Sequence, residues 1–318
     1  MGKSIIDIIC DYLRYNKDVA VEMSRKAPST YRIYAIDNKR AGEKRIIHHP
    51  SKQTKSLQYA FIENILSLMP VHECAIAYKR GIKGPIRLNA SKHAGFSYSI
   101  RIDFKDFFHS IRPNDLLRLI EVIKLPDLKT LSKEDKSFVT NSLFIKLRNG
   151  LKGLAIGAPS SPIISNIVMF SIDNNLDKFA KINDGIYTRY ADDIVYSTNI
   201  NGGCKQFLDE VNRLVIKTES PKFEVNKGKT IFTSKGTRRV ITGIYLTPDG
   251  NISIGRKNKR YIKKLIFDYK NNNIEDKKLS YLQGYLAFIL DVEPSFYNNL
   301  ALKYGGEIVK KALKSKKI

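Results

Sequence analysis

The sequence predicts an α+β protein in which helices cover an antiparallel sheet and a further helical region follows it. The segment Tyr98–Phe104 alternates apolar and polar side chains, which is the period of a strand with one buried face. Two β-prone runs flank Asp192 and Asp193, and this pattern predicts a hairpin with both acids at or near its turn. Apolar residues recur at helical spacing over 113–123 and again beyond Gly255.

The N-terminal region is predicted to contain helices and one pair of strands. Residues 1–30 have a helical pattern, and residues 55–68 have another. Between them, 31–36 and 45–49 alternate like two strands that are joined by a basic turn at 38–42.

Turn and capping residues mark the helices of the central region. Ser132 with Asp135 resembles a capping box. Ser161, which precedes a proline, is predicted to be the N-cap of a helix that runs to about residue 181. Short β-like runs return over 223–254, so a second group of strands is expected before the C-terminal helices.

The chain carries a large excess of positive charge, with 55 Lys and Arg against 31 Asp and Glu. A net charge of +24 predicts an anionic partner, either nucleic acid or an acidic membrane. The 17 Tyr and 15 Phe favour single-stranded nucleic acid, because bases stack on aromatic rings while cations neutralise the phosphates.

Cysteine spacing and the apolar runs exclude several classes of protein. Cys10, Cys74 and Cys204 lie far apart with no Cys-x-x-Cys, so neither a disulfide framework nor a zinc site is predicted. The uncharged run 153–172 is long enough to cross a bilayer, but prolines such as Pro159 interrupt it. We therefore expect a cytoplasmic protein that has no membrane partner.

Asp103, Asp192 and Asp193 are the candidate catalytic and metal-binding residues. Adjacent carboxylates repel each other and are costly to desolvate, so an acidic pair on a stiff hairpin favours a bound cation. Asp103 projects from the polar face of its strand, where a neighbouring hairpin would bring the three acids together. Two Mg²⁺ ions, with Mn²⁺ as a substitute, would activate an attacking hydroxyl and stabilise a leaving pyrophosphate. The three acids therefore indicate nucleotidyl transfer from a nucleoside triphosphate.

The chain resembles the reverse transcriptases, whose palm motifs it matches in order. Four palm motifs are matched, at Asp103–Phe108, Gly157–Pro162, Tyr190–Asp193 and Asn226–Thr230. Arg45 and the residues after it resemble a motif of the fingers. One departure is Ala155-Ile156, which stands where the family usually has Pro-Gln before the glycine of the second motif. Because that glutamine contacts the nucleotide in relatives, a difference in nucleotide affinity or fidelity is expected.

This resemblance implies a right-hand polymerase fold: fingers over 1–97, an antiparallel-sheet palm over 98–245 and a basic helical thumb over 246–318. It also implies that Phe108 excludes ribonucleotides by crowding the 2′ position of the sugar, and that Lys229 protonates pyrophosphate. The nucleotide-binding residues that it implies are Arg45, Asp106, Phe108, Gly157 and Lys229.

Within that superfamily the chain resembles the retron reverse transcriptases. Asn89–His93 matches their Asn-Ala-x-x-His box, and Ile241–Gly243 stands where they carry Val-Thr-Gly. The helix after Gly255 adds a basic face. The RNA-binding residues that follow are Asn89, His93, Ile241, Thr242, Gly243, Lys257, Arg260 and Lys264. For His93, a role in shaping RNA or in structure is favoured over catalysis.

The retron resemblance also implies a product and partners. These enzymes use deoxynucleoside triphosphates to copy their own structured noncoding RNA. They prime from a guanosine 2′-hydroxyl, so the product is a branched RNA–DNA hybrid (msDNA). They serve antiphage defence together with an effector protein. A host RNase H is expected to trim the template, since no nuclease segment is recognised here.

Two alternatives remain open from sequence. One is another bacterial reverse transcriptase, of the group II intron or diversity-generating type. The other is a catalytically idle RNA-binding scaffold in which Asp192 and Asp193 form only a solvated turn.

Overall fold

The computed structural model describes residues 2–37 and 44–314, and within these ranges it has mixed helix and sheet content, as predicted. The strands are β1 (Arg32–Asp37), β2 (Lys44–His49), β3 (Tyr98–Asp103), β4 (Ile145–Lys146), β5 (Lys152–Gly153), β6 (Gly185–Tyr190), β7 (Asp193–Thr198), β8 (Ile231–Ser234), β9 (Arg239–Ile241), β10 (Ile244–Leu246) and β11 (Ile252–Ser253). β1 and β2 form the predicted strand pair. The turn predicted at 38–42 lies outside the described residues.

The helices cover one face of the palm and build the thumb. They are α1 (Ile5–Leu13), α2 (Lys17–Lys26), α3 (Lys52–Asn64), α4 (Pro85–His93), α5 (Phe107–Ser110), α6 (Pro113–Ile123), α7 (Lys133–Leu143), α8 (Ser161–Val168), α9 (Phe170–Ile182), α10 (Gly203–Lys217), α11 (Arg256–Lys270), α12 (Asp276–Val292), α13 (Pro294–Tyr304) and α14 (Gly306–Lys314). No described helix is long and apolar enough to cross a membrane. The uncharged run 153–172 folds instead as a loop followed by α8 and the start of α9.

The palm is a four-stranded antiparallel sheet in the order β6–β7–β3–β8. β3 pairs with β7 in a register that sets Asp103 opposite Asp193. Directly opposed residues share one face of a sheet, so these two side chains project to the same side. β6 and β7 form the predicted hairpin, and its turn residues are Ala191 and Asp192.

Two large hydrophobic clusters stabilise the fold. The larger lies between the palm sheet and the helices α1, α3 and α6–α10, and it includes the inward side chains Ile100 and Ile102 of β3. The smaller joins α11–α14 to β9 and β10, and it also takes in Ala90 and Ala94 from α4 and the residue after it. A fully buried Leu or Ile contributes about 1.5–3 kcal/mol by leaving water, so each cluster is a substantial source of stability. The boundaries at residues 97 and 245 stay predictions.

Local sequence signals account for some of the helix starts. The capping box predicted at Ser132 and Asp135 is present at the start of α7. The prediction that Ser161 is an N-cap is wrong, because Ser160 takes that position and Ser161 is the first residue of α8. Ser160 already has helical backbone angles, which moves the start of the helix one residue earlier. The predicted helix is also interrupted at Met169, between α8 and α9.

Candidate active site

A cleft of about 420 Å³ lies where the hairpin β1–β2 of the fingers faces the acidic end of the palm. It brings together predicted residues that are far apart in the sequence. The predicted residues that line it are Arg45, Asp103, Asp106, Phe108, Asp192 and Lys229. Ile156 also lines the cleft, next to the predicted Gly157. The topology therefore joins the fingers, the first palm motif, the hairpin and the fourth palm motif around one space.

The acids meet at the ends of two neighbouring strands. Asp103 ends β3 and is 9% exposed, and Asp192 is half-buried in the hairpin turn. Burial raises the pKa of Asp192 above its usual value, and the negative charge of Asp103 raises it further. The positive charges of Arg45 and Lys229 oppose that rise. The two carboxylates are therefore close enough to interact, and cations would stabilise their charged forms.

Lys229 provides one such cation. Its Nζ lies 3.5 Å from Oδ1 of Asp103. The backbone N–H of Asn226 donates to the carbonyl oxygen of Asp103 at 2.8 Å, which fixes the short segment carrying Lys229 beside the end of β3. This places an ammonium group whose side chain is 43% exposed at the rim of the acidic cleft.

The donor set fits Mg²⁺ that arrives with a nucleotide. Within 2–37 and 44–314, no three Asp, Glu, His or Cys side chains already form a cluster that would hold a metal ion. Mg²⁺ nevertheless needs only one or two protein carboxylates when substrate phosphates and water complete its shell. Asp103 and Asp192 supply oxygen donors of that kind in the cleft. The metal-binding role of Asp103, Asp192 and Asp193 stays a prediction.

Phe108 and Asp106 form the wall of the cleft beside Asp103. The Phe108 ring packs edge-on against Phe107, with 5.4 Å between ring centroids, and its remaining surface faces the cleft. Asp106 is exposed and occupies the N-cap position before α5, with a left-handed backbone, φ 45°. Phe108 is thus partly packed against the core and partly exposed to the cleft.

Gly157 holds the fingers against the palm. Its φ is +109°, and a Cβ built there would lie 2.9 Å from Cγ2 of Ile47 and 3.0 Å from the carbonyl oxygen of His48. The preceding carbonyl, on Ile156, accepts a hydrogen bond of 2.8 Å from the His48 N–H. Any side chain at Gly157 would therefore push β2, which carries Arg45, away from the cleft.

Asn89 and His93 lie inside the protein, so the prediction that they contact RNA is wrong for this structure. Both are 0% exposed. Nε2 of His93 lies 2.7 Å from Oγ1 of Thr188, and Nδ1 lies 2.8 Å from Oγ of Ser197. Thr188 donates in turn to Oδ1 of Asn89 at 2.6 Å. These bonds join α4 to β6 and β7, which supports the structural alternative for His93.

We expect His93 to make stability depend on pH. Burial lowers the pKa of His93 from 6.5 to about 3. As the pH falls below 6.5, the unfolded chain takes up a proton at His93 and the folded chain does not, so stability is lost between pH 6.5 and about 3. Between about pH 7.5 and 5.5 this residue should cost roughly 1.4 kcal/mol of unfolding free energy. Urea unfolding of wild type and His93→Gln at both pH values measures it, and equal pH dependence in the two proteins would contradict it.

The residues predicted at the base of the thumb differ in exposure. Ile241 is 3% exposed and packs in the smaller cluster, so direct contact with RNA is excluded for its side chain in this structure. Thr242 and Gly243 form the turn between β9 and β10, with φ of 48° and 87°. Thr242 donates to the carbonyl oxygen of Ile86 at 3.3 Å, and Gly243 is exposed. Of these three residues, only Thr242 and Gly243 in the turn are accessible to a nucleic acid.

The basic thumb residues occupy one surface of α11. Lys257, Arg260 and Lys264 are exposed and line a shallow groove together with Tyr261. The opposite face of the helix is buried in the smaller cluster through Ile262, Leu265 and Ile266. The predicted amphipathic pattern is thus present, with cations and an aromatic ring facing outwards as single-stranded nucleic acid requires.

Sequence reasoning missed a buried ion pair beneath the hairpin. Arg189 and Asp173 are both 0% exposed, and NH2 of Arg189 lies 2.7 Å from Oδ2 of Asp173. Arg189 alternates with the buried Tyr187 along β6, so the period of the strand points this arginine inwards. The period of the strand could have predicted that Arg189 is buried, whereas nothing in the sequence indicated that its partner is Asp173 on α9.

Comparison with known proteins agrees with this geometry. Residues 36–282 match the family described as reverse transcriptase (RNA-dependent DNA polymerase). The chain is 32% identical over 308 residues to the Retron Ec83 reverse transcriptase of Escherichia coli, covering 96% of each protein. It is 32% identical over 314 residues to the Retron Ec73 reverse transcriptase of the same species, again covering 96% of each.

Among solved structures, the foamy viral protease-reverse transcriptase in complex with an RNA/DNA hybrid aligns with a TM-score of 0.48 and 13% identity, over 90% of this chain and 33% of that chain. The family match spans most of the chain, and the retron relatives match it nearly end to end. The chain therefore belongs to the retron reverse transcriptases and is an RNA-directed DNA polymerase.

Proposed function

We propose that this enzyme copies its own structured noncoding RNA into DNA, primes from a 2′-hydroxyl of that RNA, and so makes a branched RNA–DNA hybrid. The observation that carries the proposal is the similarity to two retron reverse transcriptases over 96% of each protein. Such coverage favours a retron enzyme over a group II intron or diversity-generating type.

The cleft suits the chemistry that the proposal requires. Arg45 and Lys229 bring positive charge to the triphosphate, and Phe108 borders the position of the sugar. Divalent ions held by Asp103, Asp192 and Asp193 would activate the attacking hydroxyl and neutralise the leaving pyrophosphate. Lys229, next to Asp103, is positioned to give a proton to that pyrophosphate.

The thumb provides a surface for the template and product. Lys257, Arg260 and Lys264 would contact phosphates, and Tyr261 offers a ring for a base. Thr242 and Gly243 extend this surface at the base of the thumb. The further partners proposed are deoxynucleoside triphosphates, an effector protein of the same antiphage system, and a host RNase H, all in the cytoplasm.

Sequencing the nucleic acid that copurifies with the protein tests the proposal. We expect a short DNA joined 2′–5′ to RNA, so that treatment with a debranching enzyme separates the two. A preparation of Asp192→Asn plus Asp193→Asn should contain the RNA without the DNA. DNA that is not joined to RNA, or RNA drawn from many cellular transcripts, would contradict the proposal and favour another type of reverse transcriptase.

A further inference from the structure

The buried side of the catalytic hairpin is held by a single arginine. Arg189 lies on β6, two residues before the turn, and its guanidinium is 0% exposed. Nε and NH2 donate to the two oxygens of Asp173 at 2.9 and 2.7 Å. NH1 donates to Oδ1 of Asn166 at 3.0 Å and to the carbonyl oxygen of Ala191 at 2.9 Å. The last bond reaches the turn itself, directly before Asp192.

That bond fixes the peptide group that leads into Asp192. Ala191 has a left-handed backbone, φ 59°, which a residue with a side chain adopts only when its surroundings impose it. The carbonyl of this peptide accepts from Arg189, and Asp192 follows it directly in the chain. The guanidinium therefore holds the peptide group that leads directly into Asp192.

The far side of this arrangement is anchored by two helices and a connecting segment. Asp173 lies on α9, and its Oδ1 also accepts from the hydroxyl of Tyr187 at 2.7 Å. Asn166 on α8 donates to the carbonyl oxygen of Ala77 at 3.0 Å. The backbone of Arg189 itself pairs with Cys74 and Ile76, at 2.9 Å in each case. The guanidinium is therefore held from several directions, with little freedom to move relative to the turn.

We infer that Arg189 is a positioning residue that sets the orientation of the Asp192 carboxylate for its divalent cation. This inference rests on the proposed metal-binding role of Asp192. Lysine at this position would keep the charge beside Asp173, but a single ammonium group does not reproduce the planar fork that reaches Asp173, Asn166 and Ala191 together. Groups that orient metal ligands typically change metal affinity by about 10–100-fold when they are replaced.

The experiment compares wild type, Arg189→Lys and a matched control, Arg239→Lys. Arg239 is also buried, at 2% exposed, and it donates to carbonyl oxygens of Phe96, Ala94 and Thr247 at the base of the thumb. Binding of Mn²⁺ is measured by electron paramagnetic resonance on the protein with a chain-terminated primer–template and deoxynucleoside triphosphate. The kcat, the KM for nucleotide and the melting temperature are measured alongside.

We expect Arg189→Lys to weaken Mn²⁺ binding by about 10-fold and to lower kcat by at least as much, with KM for nucleotide changed by less than about threefold. Arg239→Lys should lower the melting temperature by a similar amount and leave Mn²⁺ binding unchanged. Equal Mn²⁺ affinity in wild type and Arg189→Lys, or equal loss in both lysine variants, would overturn the inference.

Two further variants keep the result decisive. If Arg189→Lys does not fold, Asn166→Ala removes one contact of NH1 while leaving the ion pair with Asp173, and it should weaken Mn²⁺ binding in the same direction by about threefold. An Asn166→Ala protein with the Mn²⁺ affinity of wild type would then count against the inference.

Asp192→Asn serves as the reference for the metal site. If Asp192→Asn binds Mn²⁺ as wild type does, the proposed metal role fails; if only Arg189→Lys binds as wild type does, the positioning role alone fails.

Discussion

Replacing Asp192 with asparagine should reduce DNA synthesis by about 10³-fold, because charge stabilisation in the transition state is lost while the side chain keeps its size. Binding of the RNA should stay within about twofold of wild type, because the basic groove on α11 is a separate surface. Primer extension and an RNA-binding titration on the same preparations measure both quantities.

Asp184→Asn is the matched control for this prediction. Asp184 is exposed, and it precedes β6 at the opposite end of the same hairpin. Its φ of 46° is one that asparagine tolerates well. This variant should keep full activity. Equal synthesis by wild type and Asp192→Asn would remove the acidic cleft from the mechanism. Absent synthesis in both, with equal RNA binding, would instead favour the idle scaffold.

Replacing Phe108 with valine should lower the preference for deoxynucleotides over ribonucleotides by about 10²-fold, the scale on which a pocket rejects a single extra hydroxyl. The ring faces the cleft beside Asp103, and shortening the side chain opens space there. The ratio of kcat/KM values for a deoxynucleotide and the matching ribonucleotide measures the effect.

Phe108→Tyr tests whether the bulk of the ring is responsible. The tyrosine ring keeps the wall of the cleft, so selectivity should stay near that of wild type. If Phe108→Val retained the selectivity of wild type, Phe108 would be a core residue that only borders the cleft. Its packing against Phe107 allows for that result, and a melting temperature for each variant separates lost packing from altered selectivity.

Periodicity along the chain predicted the elements of the palm because each signal was local. The alternation around Asp103 placed this acid on the polar face of β3, and β6–β7 formed around the acidic turn as expected. The sequence did not predict in the same way which side chains become buried between distant elements. His93 matched a motif linked to RNA, yet its partners Thr188 and Ser197 are about a hundred residues away and enclose it completely.

The candidate site was likewise predictable only in part. The motifs predicted that Arg45, Phe108 and Lys229 belong to one site, because members of a family share a three-dimensional arrangement. In the structure these three residues line the same cleft. No motif singled out Arg189, although its guanidinium donates a hydrogen bond to the turn directly before Asp192. Its importance follows from hydrogen bonds to α8 and α9, and no spacing rule within β6 specifies those partners.

The core of the thumb is continuous with the palm at its base. The thumb helices α11–α14 bury their apolar side chains in a cluster that also contains Val195 of β7 in the palm sheet. Its base is fastened, since α4 contributes Ala90 to that core and bonds to β6 and β7 through His93. A substitution that opens a cavity in this cluster is therefore expected to disturb the palm sheet as well as the thumb.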